Sequence, residues 1–345
     1  MRADEPRSVA SSRTRGTRVA EVTTGTALVA AVEPLRRELV VHCYRLLGSV
    51  HEAEDAVQET MLRAWRAAER YDAARASVRT WVYSIATNVC LTALDGRARR
   101  PLPSGLGAPS TDPDAVLRPD LDVPWLQPLP DRYVRTETQD PAERSAARRS
   151  VRLALVAALQ LLPPRQRAVL VLRDVLAFTA AEVAAQLGTS TASVNSALQR
   201  ARATIATAAP EEDLLGDPDD SSVRDVVERY VAAFEAADVD GLVRLLTADV
   251  VLEMPPVPLW FLGADDYGRF IARVFARRGT GWRMLPLRAN GQPAVAAYAP
   301  EPGGGHRLHT LQVLTVGALG IERNAVFQDA QVFAAFELAP ELPPR

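Results

Sequence analysis

Residues 51–65 read HEAEDAVQETMLRAW. Ala53, Val57, Met61, Ala64 and Trp65 recur at i, i+4, i+8, i+11 and i+12, the spacing of a helix buried along one side. Another side carries Asp55, Gln58, Glu59 and Leu62, a stripe that is acidic and polar but includes a leucine no core position requires. Such a stripe fits either a solvated acidic face or a surface for a partner protein, and the residues by themselves leave both open.

Upstream, Leu28, Val32, Leu35, Leu39, Cys43, Leu46 and Leu47 predict an amphipathic helix stopped by Gly48. Downstream, beyond a polar stretch over 68–77, Val78, Val82, Ile85, Ala86, Val89 and Ala93 mark the buried side of a third helix. Three such helices can share one core. Trp81, Ser84 and Asn88 fall on a different face of the third helix, and Arg97, Arg99 and Arg100 lie just past its end. Arginines hold phosphates while aromatic and amide side chains stack on or bond to unpaired bases, so this is a candidate surface for single-stranded DNA. Trp81 fits a core anchor as well.

The prolines from Pro101 to Pro130 forbid a persistent helix or central strand, and acidic residues outnumber basic ones over 101–139, which predicts an extended, acidic linker. Trp125 and Leu126 are a candidate docking point within it. Asp140-Pro141-Ala142-Glu143 then reads as a helix start, with an N-cap, a first-turn proline and a capping-box carboxylate, and predicts a helix from Pro141 to about Gln160. After Pro163 and Pro164 a further helix carries Val169, Leu170, Leu172 and Val175.

Thr179 and Glu182 form a second capping box, Gly188 stops the short helix that follows, and Ser190 caps a last helix over 191–207. Ala184, Gly188 and Val194 supply the close contact, tight turn and core plug of a helix-turn-helix. Ser193, Asn195, Ser196, Gln199 and Arg200 then point outward as candidate readers of a major groove, with Arg202 for phosphate and Arg165, Arg167 and Arg173 as backbone anchors.

The opening stretch, SVRTWVYSIATNVCLTAL at 77–94 and LPPRQRAVLVLRDVLAFTAAEVAAQLGTSTASVNSALQRARA at 162–203 resemble, in that order, regions two and four of the extracytoplasmic-function (ECF) group of the bacterial sigma-70 family. The resemblance implies that Asp55, Gln58, Glu59 and Leu62 bind the beta-prime clamp helices of core RNA polymerase and that region four meets the beta flap. It also implies promoter DNA as a partner: the third helix with its arginines opens the minus-ten element, and the last helix reads the minus-thirty-five element. The linker would thread the polymerase's RNA path. Many relatives carry Arg or Lys where this chain has Asn195 and Ala197, so its reading helix is less basic than the family pattern.

From about residue 222 the period changes, and helices over 222–237, 241–246 and 265–277 alternate with strand-like runs at 249–254, 282–288, 294–299, 306–316 and 319–327. The expected fold is therefore multidomain, two all-α units followed by an α+β cone with a curved antiparallel sheet. The cone resembles the SnoaL-type, NTF2-like domain that some ECF sigma factors carry. Glu253, Trp260, Trp282, Tyr298, His309 and Phe327 are candidate lining residues of a ligand pocket. No acid–base pair is identifiable by spacing, so no catalytic residue is assigned.

The expected domains are a flexible tail (1–25), a region-two unit (26–100), the linker (101–139), a region-four unit (140–209), a joint (210–221), the cone (222–338) and a short tail (339–345). A net charge of −2 over 345 residues gives no global pull towards nucleic acid, so any basic surface is local. Every basic residue is arginine. Cys43 and Cys90 are far apart in sequence, each inside an apolar helical pattern, which argues against a disulfide framework and supplies no C-x-x-C metal or redox pair, and no cofactor is expected. With no apolar run long enough to span a bilayer, the expected location is the cytoplasm. Three functions compete: a sigma factor whose cone is controlled by a small molecule or an intramolecular contact, a stand-alone helix-turn-helix regulator, and a fusion whose cone is an isomerase- or epoxide-hydrolase-like enzyme. The first accounts for most of the residues quoted.

Overall fold

The structure, a computed structural model, describes residues 30–134, 140–208 and 219–344. The tail at 1–25 and most of the joint at 210–221 lie outside the described residues. The first unit consists of α1 (Arg36–Leu47), α2 (Val50–Arg66) and α3 (Val78–Leu94). Gly48 ends α1 in the left-handed conformation, and Ser49 caps α2 by accepting from the Glu52 amide. Ala53, Val57, Met61 and Ala64 are buried as expected, but Trp65 is 50% exposed. At about 100° per residue, Trp65 lies about 120° round the helix from Ala53, on the edge of the stripe.

A single helical turn, α4 (Asp131–Val134), ends the linker just past its last proline, and the second unit holds α5 (Pro141–Arg149), α6 (Leu153–Leu159), α7 (Pro164–Leu170), α8 (Ala180–Leu187) and α9 (Thr191–Ala208), with one π turn (Val171–Val175) continuing α7. The helix expected from Pro141 to about Gln160 is broken at 150–152. Tertiary contacts take over its backbone there: Asn290 Nδ2 donates to Val151 O at 2.6 Å, and the Leu153 amide donates to Gln292 Oε1 at 2.8 Å. Val151 is fully buried, so the break seats an apolar side chain that a continuous helix would carry elsewhere. The Thr179–Glu182 capping box and the left-handed stop at Gly188 are both present.

In the cone, α10 (Ser221–Glu235), α11 (Val239–Val243) and α12 (Ala264–Arg278) precede or interrupt the strands, and α13 (Ala330–Ala335) follows them. The strands are β1 (Leu246–Glu253), β2 (Trp260–Leu262), β3 (Arg283–Ala289), β4 (Gln292–Pro300), β5 (His306–Gly317), β6 (Gly320–Phe327) and β7 (Glu341–Leu342). They are ordered β2-β1-β6-β5-β4-β3, with β7 on β5. The sheet is mixed rather than wholly antiparallel, because β1 pairs parallel to β6. No sequence pattern marked β2, β7 or α13 in advance; each is too short to show a period.

Successive strand residues face opposite ways, and here each face has its own core. The inner face packs on α10 and α12, where Phe234 meets Phe275 and Trp282 edge-on at 5.0 and 5.5 Å. The outer face, with Ala289, Leu311 and Phe327, joins one continuous apolar core that includes Leu39 of α1, Leu126 and Leu129 of the linker and Val151 of the second unit. The three units are thus packed together.

The linker is irregular, as its prolines require, but it is not a free spacer. Its backbone bonds to the cone at Ser110 (to Trp260 O, 2.8 Å), Asp120 (to Pro256 O, 2.9 Å) and Leu129, whose carbonyl accepts from the Asn290 amide at 2.8 Å. Trp125 and Leu126 are buried, as a docking point requires.

Candidate polymerase, nucleic-acid and ligand sites

On α2 the stripe expected to meet polymerase is open: Asp55 and Gln58 are exposed, Leu62 is 40% exposed, and Glu59 is half-buried and paired with Arg63 at 2.6 Å. An uncovered leucine between carboxylates is the pattern of a docking face.

The face of α3 is partly used inside the molecule. Trp81 stacks obliquely on Tyr71 with centroids 5.1 Å apart, and exposed Asn88 donates from Nδ2 to Ser84 O at 2.9 Å. The arginines differ among themselves. Arg97 pairs with Glu52 at 2.7 Å, and Arg99 donates to Gly105 O at 3.2 Å, both from exposed positions. Arg100 pairs with Glu52 at 2.7 Å and donates to Trp125 O at 3.0 Å, so it clamps the linker and is not presented to DNA here.

In the helix-turn-helix, Val194 is buried as the plug, while Ser193, Asn195, Ser196, Gln199, Arg200 and Arg202 are all exposed along α9. Arg202 is held two-pronged by Asp174 at 2.7 and 2.8 Å, so its charge is already met. Arg165 is exposed. Arg173 is half-buried and donates to Phe178 O. Arg167 corrects an expectation: it is 3% exposed, donating to Leu46 O, to Gln160 Oε1 at 2.7 Å and to Gln160 O and Leu162 O at 3.2 Å. Burial lowers its pKa to about 10, and it serves as a bolt between α1 and the second unit, facing away from any phosphate.

One element that the residues did not flag is the β3–β4 turn. Asn290 and Gly291 both have positive φ, 57° and 65°, as a type I′ hairpin needs. This hairpin tip is buried where all the units meet. Asn290 Nδ2 donates to Tyr44 Oη at 2.8 Å and to Val151 O, its Oδ1 accepts from the Leu129 amide at 2.8 Å, and the Gly291 amide donates to Asp131 Oδ1 at 2.7 Å. A Cβ on Gly291 would come within 2.9 Å of Arg148 backbone, so glycine is required for closeness as well as for φ. The Asn-Gly dipeptide was the available signal. It announces a turn but not that the turn is a plug.

The cone encloses a cavity of about 420 Å³ lined by Leu252, Met254, Phe270, Trp282, His309 and Asn324, among others. Of the six pocket residues expected, Trp282 and His309 line it, their rings 5.4 Å apart. The other four do not. Strand alternation turns Glu253 and Phe327 to the outer face, while Leu252 and Val326 face the cavity. Glu253, fully buried, pairs with Arg323 and accepts from Ser104 Oγ at 2.8 Å. Trp260 donates to Gly107 O at 2.9 Å and so grips the linker, and Tyr298 donates to Ala339 O at 3.0 Å. Burial, with Arg278 near, holds His309 below the ordinary histidine pKa, and its Nδ1 accepts from Gln328 Nε2 at 3.0 Å. Among the described residues no cluster suited to a metal ion occurs, and no helix is long and apolar enough to cross a membrane.

Fold and surfaces together define a class: a two-unit helical DNA-binding protein with an outward helix-turn-helix and an appended α+β cone. Residues 31–100 match Sigma-70 region 2, residues 152–205 match Sigma-70 region 4, and residues 227–320 match the SnoaL-like domain. The chain is 50% identical over 315 residues to the ECF RNA polymerase sigma factor SigG of Mycobacterium tuberculosis, covering 91% of this chain and 84% of that one. It is 34% identical over 260 residues to SigJ of the same organism, covering 73% and 75%. The crystal structure of SigJ superposes with a TM-score of 0.61 at 26% identity, covering 90% of this chain and all of that one. The chain belongs to the extracytoplasmic-function sigma factors, which direct promoter recognition and transcription initiation.

Proposed function

We propose that this sigma factor binds core RNA polymerase through the α2 stripe, engages promoter DNA through α3 and α9, and is held by its cone in a closed state that cannot initiate. The observation that carries the closed state is the direct packing of the two helical units. Phe178 lies 5.7 Å from Tyr83 of α3, and Arg79 sits over both rings. The minus-ten and minus-thirty-five elements, by the positions that name them, lie about 25 base pairs or about 85 Å apart at 3.4 Å per pair. Units in ring contact cannot occupy both, so initiation requires them to separate. The cone acts as a clamp in this reading, its hairpin tip bonded to the first unit, the linker and the second unit at once. A binding role for the cavity is favoured over catalysis because Glu253, the one carboxylate among the residues expected to line it, is spent on Arg323 and Ser104 outside it.

The test is transcription from a promoter library with purified core polymerase. Asp55→Ala with Glu59→Ala should lower core affinity and transcript yield together, while helicity stays unchanged because the exposed Asp55 costs within about 0.5 kcal/mol and the surface i,i+4 pair of Glu59 with Arg63 at most about 0.5 kcal/mol more. Unaltered core affinity in that double variant refutes the α2 assignment.

A further inference from the structure

The linker contributes one side of the cavity of the cone, and the chemistry of that side points to a ligand. Linker residues Asp114, Val116 and Leu117 line it together with residues of the cone. Asp114 faces Arg273 at 3.6 Å and Arg277 at 3.3 Å, and Arg273 also donates to Pro113 O. Arg278 lines the same cavity and makes no ion pair among the described residues. The rim therefore holds three guanidinium groups against one exposed carboxylate. A cationic rim on an apolar cavity concentrates anions.

The far wall asks for something else. Asn324 is 1% exposed and donates from Nδ2 to Tyr267 Oη at 2.7 Å and to Tyr230 Oη at 3.1 Å, while its Oδ1 has no partner among the described residues. A buried acceptor left bare is costly, and a donor brought by a ligand would satisfy it. Between rim and wall the lining is chiefly apolar and aromatic, with Phe270, Met254 and the Trp282–His309 pair.

We infer that the cavity binds a small hydroxylated aromatic or alicyclic carboxylate, with its hydroxyl on Asn324 Oδ1 and its carboxylate on Arg273, Arg277 and Arg278, and that binding displaces the linker segment 113–117. The carboxylate takes the place of Asp114, so the two compete for the same guanidinium groups, and whatever weakens the Asp114 contact strengthens the ligand by up to the same factor. The consequence for initiation rests on the reading of the cone as a clamp. Binding and linker displacement do not, and can be measured on the full chain without polymerase.

The probes are 6-hydroxy-2-naphthoate, its methyl ester and 2-naphthoate, titrated by calorimetry. The hydroxy acid should bind saturably below millimolar concentration. The ester and 2-naphthoate should bind at least tenfold more weakly. Arg277→Gln, at an exposed position, should weaken the acid at least fivefold relative to the ester, which has no carboxylate to lose and gains slightly from the loosened Asp114 contact. Asp114→Asn removes the charge that faces both Arg273 and Arg277 and should tighten the acid at least about twofold, the low end for a surface ion pair. Spin labels at Ala115→Cys and Leu319→Cys, with native Cys43 and Cys90 buried, should report a broadened distance distribution when the acid is added. No saturable binding, or an ester or 2-naphthoate that binds as well as the hydroxy acid, overturns the ligand class; binding with an unchanged distance distribution overturns the displacement. If the acid binds and the segment moves but transcription does not respond, the clamp reading fails and this one stands.

Discussion

His42 illustrates how much one side chain in a core can decide. It is fully buried in α1 and packs edge-on against Tyr83 at 5.1 Å. Thr87 Oγ1 gives its proton to Tyr83 O at 2.7 Å, so the 2.9 Å contact between His42 and Thr87 requires the proton on His42 Nε2. His42 Nδ1 is then bare and buried. Burial, with Arg45 and Arg79 near, lowers the pKa to about 3 from 6.5. Because the folded pKa is depressed, the unfolded chain binds the proton more tightly; stability is full above about pH 6.5 and declines towards pH 3 by about 1.4 kcal/mol per pH unit. In denaturant titrations from pH 7 to pH 4.5, His42→Gln should remove that one-proton slope whatever it does to absolute stability. An unchanged slope would show that His42 is not the group responsible. From sequence His42 was one polar residue among apolar neighbours; only Thr87 and Tyr83, forty-odd positions away, fix its tautomer and charge.

At the scale of elements, helices with local signals were legible and those decided by distant contacts were not. The Thr179–Glu182 box, the Gly188 stop and the Ser190 cap lie within a few residues of what they control, and the candidate readers on α9 face outward as the period requires. Arg167 has the same composition-level appearance as Arg165 but sits two positions on, which turns it from solvent into the core. A prediction follows for α9. Arg200→Ala should cost roughly 1 to 3 kcal/mol at one base position of the minus-thirty-five element, whereas Arg165→Ala should weaken all sequences alike and lower the salt dependence by about one ion. Binding titrations on substituted promoters at two salt concentrations separate the two; a sequence-blind loss at Arg200 would make it a phosphate contact.

At the scale of the whole molecule, the proposed closure rests on the hairpin tip, whose Asn290 bonds to Leu129, Tyr44 and Val151. Asn290→Gly keeps the positive φ while deleting the side chain, leaving the Leu129 amide, Tyr44 Oη and Val151 O without their partner, at about 1 to 3 kcal/mol for each group that stays buried. Closure should loosen. A compact chain of this length has a radius of gyration of about 20 Å, and small-angle scattering should show the variant larger than the parent, with higher transcription at equal concentration. A variant of parental size and output would mean that the hairpin does not hold the closed state.

Sequence by itself determined the order of the units, the capped helix starts and the Gly48 and Gly188 stops, the helix-turn-helix and its outward face, and the five longer strands of the cone, because each is written in residues close together along the chain. Tertiary structure alone decided that the Pro141–Gln160 helix breaks, that the acidic linker lies on the cone, that Glu253 leaves the cavity for Arg323, and that Asn290 joins three units. Those outcomes depend on which distant groups compete for the same carbonyl, carboxylate or apolar face, and no local spacing records the winner.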